Sequence, residues 1–287
     1  MIIKVRILAD MHVGSIYGLC PKEYMSAQTN PFQKWVLKKW EELVKFEQEN
    51  PSDYIYLLGD IVDGEAHKDI SKLCIPNLQH QIDGAVTLIG PMLSKNTKVI
   101  GVDGSRYHDK NVAQTITKIL GGTHRITFAS LDLRKYGMPG IQFHHKSTRV
   151  VQEASRIAVR EKRQPNMPQI GMKVSAHQHR YTYIHQNGVK VIHTPCWEYE
   201  TDFMNFSEGF DIGSIALEID TVKKRIVVVD DHIFPVPNEV FTFMQGWEGP
   251  SEKESRRIAT KYRKEKIKET MDWLSKNVPE YKGSRRH

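Results

Sequence analysis

The chain has 287 residues, 39% hydrophobic and 26% charged, a soluble globular balance long enough to bury a sizeable core in one large or two modest domains. No stretch approaches the ~18 apolar residues of a membrane span. Met1–Arg6 carries charge inside its apolar run and reads against a signal peptide. Three scattered cysteines (Cys20, Cys74, Cys196) rule out a disulfide framework or a cysteine zinc site and point to a reducing, cytoplasmic compartment. The net charge of +7 is uneven: residues 251–287 hold 12 Lys/Arg and 6 Asp/Glu, which leaves residues 1–250 at +1. That argues against a polyanion cradle spread over the whole molecule and leaves a local basic element.

In chain order, residues 2–9 alternate and then turn apolar, as a strand does. Asn30-Pro31 is a helix start, and Phe32, Val36, Trp40, Leu43 and Val44 follow at helical spacing up to Asn50-Pro51. Residues 54–58 predict a short buried strand. Leu78, Ile82, Val86, Ile89 and Leu93 mark a second helix, and residues 98–102 a third strand. Strand–helix–strand–helix–strand argues for a largely parallel sheet flanked by helices. Further on come a strand at 140–144, a basic helix at 147–163 and a strand at 172–176. A hairpin of 180–186 and 189–194 turns on Asn187-Gly188, and 212–219 with 225–231 form a closing pair. These late antiparallel strands predict a second sheet packed on the first. Gly249-Pro250 divides a body of residues 1–250 from a basic helical tail, 251–287.

The residues that carry chemistry cluster behind these strands. Asp10-Met11-His12 follows the first, Gly59-Asp60-Ile61-Val62-Asp63-Gly64 the second, and Asp103-Gly104-Ser105-Arg106-Tyr107-His108-Asp109 the third. His144-His145 ends a later strand, and Ser175-Ala176-His177-Gln178-His179 the next. In α/β sheets the C-terminal strand ends converge on one crevice, so five clusters spread over 160 residues can meet there. Imidazole and carboxylate without thiolate suit manganese, iron, zinc or nickel. Asp10/His12 and His177/His179 are i, i+2 pairs near strand ends, so both members of each pair can reach one ion. About six ligands exceed one tetrahedral shell, and two divalent ions sharing a carboxylate account for them. Taken singly, Asp-x-His is a weak signal and Gly-Asp-x-x-Asp-Gly is often just a turn; the order and placement of all five carry the metal reading.

That order resembles the calcineurin-like metallophosphoesterase superfamily over roughly residues 1–235. The resemblance implies two facing mixed β-sheets flanked by helices, a dinuclear metal centre and hydrolysis of phosphate esters. By position it implies that Asp10, His12 and His179 hold one ion, Asp60 bridges, and a histidine at 144 or 145 with His177 holds the second. His144 is preferred, because the family usually places the ligand first. Asp63 would orient a ligand such as His12. The family's Gly-Asn-His motif is replaced here by Gly104-Ser105-Arg106-Tyr107-His108, as in some phage-type members. Serine is a poor metal ligand, so the second site is expected to be weaker, or completed by water or His108.

The implied mechanism uses a hydroxide bridging two metal ions, manganese foremost, with Asp60 between them. His108 protonates the leaving oxygen, and Arg106 is either a phosphate clamp or an exposed loop arginine. Basic segments 147–163 and 251–268 are candidates for contact with DNA or RNA, or solvated helix faces. Three readings follow: a phosphodiesterase or nuclease on nucleic acid or nucleotides, a phosphomonoesterase on the same centre, or a non-catalytic metal-binding scaffold. No membrane partner is expected, and the compartment is cytoplasmic (the host's, if the chain is viral).

Overall fold

The computed structural model describes residues 1–25, 29–64, 72–108, 111–146, 156–157, 169–186, 188–199, 209–247, 249, 260 and 264. The first half alternates as its pattern predicts. β1 (Ile2–Leu8) is followed by α1 (Pro31–Glu49), β2 (Tyr54–Leu58), α2 (Leu78–Ile89), β3 (Lys98–Val102), α3 (Val112–Ile119) and β4 (Thr123–Arg125). Asn30 caps α1 by accepting from the Gln33 N–H at 2.8 Å, with Pro31 in the first turn, and Asn77 caps α2 by accepting from the His80 N–H at 3.1 Å. The strands β1 to β4 run parallel, in that order.

The chain then builds a second sheet from β5 (Phe128–Leu131), β6 (Gly140–His144), β7 (Ile170–Ser175), β8 (Thr182–Gln186) and β9 (Val189–His193), in the order β5-β6-β7-β9-β8. Its three central strands, β6, β7 and β9, are parallel, and its edges β5 and β8 are antiparallel. β8 and β9 are the expected hairpin. A short ladder of β10 (Ile212–Gly213) with β13 (Ile233–Phe234) and a helix α4 (Asn238–Gln245) complete the described elements.

The closing pair corrects the expectation drawn from its position. β11 (Ile215–Asp220) and β12 (Arg225–Val229) do not extend the second sheet. β11 lies antiparallel against β1, giving the first sheet the order β12-β11-β1-β2-β3-β4. Local alternation marks a strand but not its partner. The short elements α3, β4, β5 and α4 are further additions to the sequence reading. The proposed basic helix at 147–163 lies outside the described residues apart from 156 and 157, and the tail at 251–287 apart from 260 and 264.

The two sheets face each other across an apolar layer. Val5, Ile7, Tyr56, Leu58 and Val102 meet Ile141, Phe143, Met172, Val174 and Ile192, and the Tyr56 and Phe143 rings stack at 3.7 Å. The other face of the first sheet carries Leu8, Ile55, Leu57 and Val99 against Phe32, Val36 and Trp40 of α1 and Ile82, Ala85 and Leu88 of α2. Alternate residues of each inner strand therefore serve two different cores. With both faces covered, the C-terminal ends of β1, β2, β3, β6, β7 and β9 are where polar groups can gather. Among the described residues no helix is long and apolar enough to cross a membrane.

Candidate metal centre

Each of those six strand ends releases a polar residue into one crevice. Asp10 and His12 follow β1, Asp60 and Asp63 follow β2, and Ser105 and His108 follow β3. His145 follows β6, His177 and His179 follow β7, and Glu198 follows β9. The backbone turns sharply at half of them. Asp10, His12, Asp60, His177 and His179 all have positive φ (47°, 45°, 46°, 72° and 53°), five of the seven non-glycine residues that do so among the described residues. This left-handed region costs an L-residue about 1–2 kcal/mol, and such strain persists only where the surroundings over-determine it. Here backbone bonds do so: Asp10 N–H donates to Gly59 O (3.2 Å), His12 N–H to Asp60 O (3.0 Å), Trp197 N–H to Asp10 O (2.9 Å) and Asp211 N–H to His179 O (2.9 Å). Gly59 (φ 75°) and Gly64 (φ 81°) make the turn after β2 possible. A Cβ at Gly64 would stand 2.7 Å from the His108 carbonyl oxygen.

The side chains then interlock. Asp60 accepts from the Ser105 N–H through Oδ1 (2.7 Å), and its Oδ2 lies 3.1 Å from His145 Nε2. His145 donates Nδ1–H to Leu58 O (2.7 Å), which fixes the tautomer and aims Nε2 at the carboxylate. Asp10 accepts from the His177 N–H through Oδ2 (2.9 Å), and its Oδ1 is 3.5 Å from His179 Nε2. His12 turns Nδ1 to Asp63 Oδ1 at 3.1 Å, the orienting role expected of Asp63, which leaves Nε2 toward the crevice. His108 donates Nδ1–H to Asp63 O (2.7 Å), and its ring meets that of His12 edge-on at 4.6 Å.

This set fits divalent metal. Asp10, Asp60, His145 and His177 bring ligand atoms within 4.8 Å of one another, as do Asp10, His12 and His179, and His12, Asp60 and His108. Asp10 Oδ1, His12 Nε2, His145 Nε2 and Glu198 Oε2 are buried and have no hydrogen-bond partner among the described residues. Unmet buried polar atoms cost about 1–3 kcal/mol each, and oxygen and imidazole donors so arranged suit a first-row divalent ion.

Without a cation the cluster holds protons instead. Burial opposes charge on His108, but the Asp63 hydrogen bond and the Asp60 and Asp63 charges outweigh it and lift the ring to about 9. Burial is likewise overcome at His145 by Asp60 and at His179 by Cys196 and Asp10, so both are raised. Asp60 and Asp10 are lowered despite burial, by His145 and His179 respectively. Burial and the neighbouring His145 lower His177. The raised histidines stabilise the metal-free fold below their unfolded value of ~6.5, and His108 gives up its share as pH rises toward 9. Metal requires neutral imidazole. Mn2+ binding near pH 7 is therefore expected to release protons, with apparent affinity rising with pH. Titration calorimetry in two buffers of different ionisation enthalpy reads the release directly; buffer-independent heats would contradict it.

The structure thus brings together Asp10, His12, Asp60, His177, His179 and His108. It does not bring His144. Burial alternates along β6, with Ile141 and Phe143 inward and Gln142 and His144 on the opposite face. His144 stacks on Phe128 (5.4 Å between ring centres) and places Nε2 3.4 Å from Gln142 Oε1. His145, one residue on, returns to the inner side and takes the place proposed for His144. The Ser105 hydroxyl accepts from the His108 N–H (3.3 Å) and so closes the turn. Arg106 is exposed on that turn. Asp109 lies outside the described residues. Glu198 was not singled out by sequence; the strand at 189–194 before it was the available signal.

No protein-family model and no curated protein matches the chain. Solved structures resemble it in outline. An archaeal phosphodiesterase aligns over 81% of this chain and 100% of its own, at 14% identity and a TM-score of 0.46. YfcE, a phosphoesterase from E. coli, aligns over 79% and 98%, at 12% identity and a TM-score of 0.41. Vps29 from Chaetomium thermophilum aligns over 82% and 98%, at 10% identity and a TM-score of 0.41. Likenesses this loose leave the chemistry to be argued from the side chains of the crevice.

Proposed function

We propose that this chain is a metal-dependent phosphoesterase of the calcineurin-like kind, acting on phosphodiesters, with nucleic acid or a nucleotide as substrate. One observation carries the reading. Buried, unpartnered ligand atoms on Asp10, His12 and His145 meet around Asp60 from strand ends of both sheets. The motif order Asp-x-His, Gly-Asp-x-x-Asp-Gly, His, His-x-His adds the resemblance in chemistry.

Asp10, His12, Asp60 and His179 would hold one ion and Asp60, His145 and His177 a second. Bound divalent ions supply Lewis acidity to a phosphoryl oxygen and lower the pKa of water toward neutrality. The remaining work belongs to the protein. Asp63 fixes the rings of both His12 and His108. Because the His108 Nδ1–H is given to a carbonyl, the proton it can deliver is the one on Nε2. That suits His108 to protonate a leaving oxygen. Arg106, exposed two residues away, can clamp a phosphate by its planar fork. Segments 147–163 and 251–268 are offered as the polyanion contacts, with salt-sensitive binding as their signature.

The test is hydrolysis of bis-p-nitrophenyl phosphate by metal-stripped protein with Mn2+ added back, beside p-nitrophenyl phosphate. Diester turnover is expected to depend on Mn2+, to stop with EDTA and to fall more than about 100-fold in Asp60→Ala, beyond the 10–100-fold of a lost supporting residue. A fully active Asp60→Ala protein would sink the proposal. Faster turnover of the monoester would move the substrate class to phosphomonoesters.

A further inference from the structure

We propose that Glu198 is an additional ligand to the ion that His12 would hold, an inference that rests on the metal-centre reading above. Glu198 is placed with care. The residue before it donates its backbone N–H to Asp10 O at 2.9 Å, and the residue after it donates to Tyr17 O at 2.8 Å. Both bonds tie it to the loop that carries Asp10 and His12. Its carboxylate is 2% exposed, with Oε2 3.3 Å from His12 Nε2 and 4.0 Å from His179 Nδ1.

A simple ion pair with His12 does not account for this. Despite the short distance, neither Glu198 Oε2 nor His12 Nε2 has a hydrogen-bond partner among the described residues. The two atoms lie side by side and are not aimed at each other, and a buried carboxylate left so is costly. Two ligands at right angles on an ion with bonds of ~2.1 Å stand about 3 Å apart, which is the spacing of these two atoms. Asp63 holds the far side of the His12 ring and so aims Nε2 toward the same point as Glu198. A further hard, anionic oxygen favours Mn2+ over Zn2+.

The experiment is Mn2+ titration of the metal-stripped full chain by calorimetry and by manganese electron paramagnetic resonance, on wild type, Glu198→Gln and Asp60→Ala. Glu198→Gln keeps the shape and removes the charge. It is expected to lose at least about 10-fold in Mn2+ affinity at one site and to move preference toward Zn2+, while its metal-free melting temperature stays level or rises. A purely structural carboxylate would lower the melting temperature and leave the metal affinity alone. Wild-type affinity and stoichiometry in Glu198→Gln, with binding lost in Asp60→Ala, overturns the role of Glu198 and leaves the centre standing. Wild-type binding in Asp60→Ala overturns the centre itself. If Glu198→Gln does not fold, Glu198→Asp, which withdraws the carboxylate by one methylene, gives the same reading: weakened binding supports the assignment and unchanged binding ends it.

Discussion

His145→Ala should lose phosphodiester hydrolysis by more than about 100-fold, while His144→Ala stays within about threefold of wild type. The two residues are neighbours of the same type, so composition, charge and local helix or strand preference change alike in both variants. Only the side of the strand differs. His145 is 2% exposed, fixed through Nδ1 on Leu58 O, with Nε2 3.1 Å from Asp60. His144 is on the other face against Phe128, and its loss removes one ring contact worth about 0.5–1.5 kcal/mol. Kinetics with bis-p-nitrophenyl phosphate and Mn2+, beside a melting curve for each variant, checks both halves. Equal loss in the two variants would mean that the strand end as a whole is needed, and that His145 alone is not the ligand.

The second large effect is expected at Gly59, which touches no substrate. Gly59→Ala asks an L-residue to adopt φ 75°, at a cost of about 1–2 kcal/mol. Its new Cβ would also overlap the Gly104 backbone, lying 2.6 Å from Gly104 N, and approach His145 Cγ at 2.9 Å. Backbone cannot swing aside as a lysine tip can, and overpacking of this kind typically adds about 1–3 kcal/mol. Together these give a destabilisation of about 2–5 kcal/mol, or a fall in melting temperature of roughly 5–15 °C for a chain of this size. Because Gly104 leads into Ser105, whose N–H holds Asp60, Mn2+ affinity should fall in the same variant. A stable Gly59→Ala protein with unaltered metal binding would show that the two loops are less tightly joined than their approach implies.

Much of the site was legible because strand ends in an α/β pattern are legible. The runs 2–9, 54–58 and 98–102 are apolar and β-branched, and the polar residues after them stand out. His145, not His144, lies on the crevice side for a reason of parity. The alternation Ile141, Gln142, Phe143 assigns the buried face to odd numbers, and the next odd position is 145. Glu198 was missed because a lone glutamate after a strand has no pattern around it; its significance comes from Asp10, Tyr17 and the bonds they accept. The return of β11 and β12 to the first sheet was illegible for a different reason. Which strand pairs with which depends on the docking of the whole molecule, and no local pattern encodes that.

The pairing of β11 with β1 also sets a timetable for synthesis. Ile2 to Ile7 find their antiparallel neighbours at Asp220 to Ile215, and the Met1 carbonyl accepts from the Thr221 hydroxyl across 220 residues of sequence. β1 is therefore made long before β11, which covers its open edge. During that interval an apolar edge strand is bare and able to pair with another chain. Expression at lower temperature, or with a holdase present, should raise the soluble yield for this reason. Truncation before residue 220 should give aggregated chains, even when it spares every residue of the crevice.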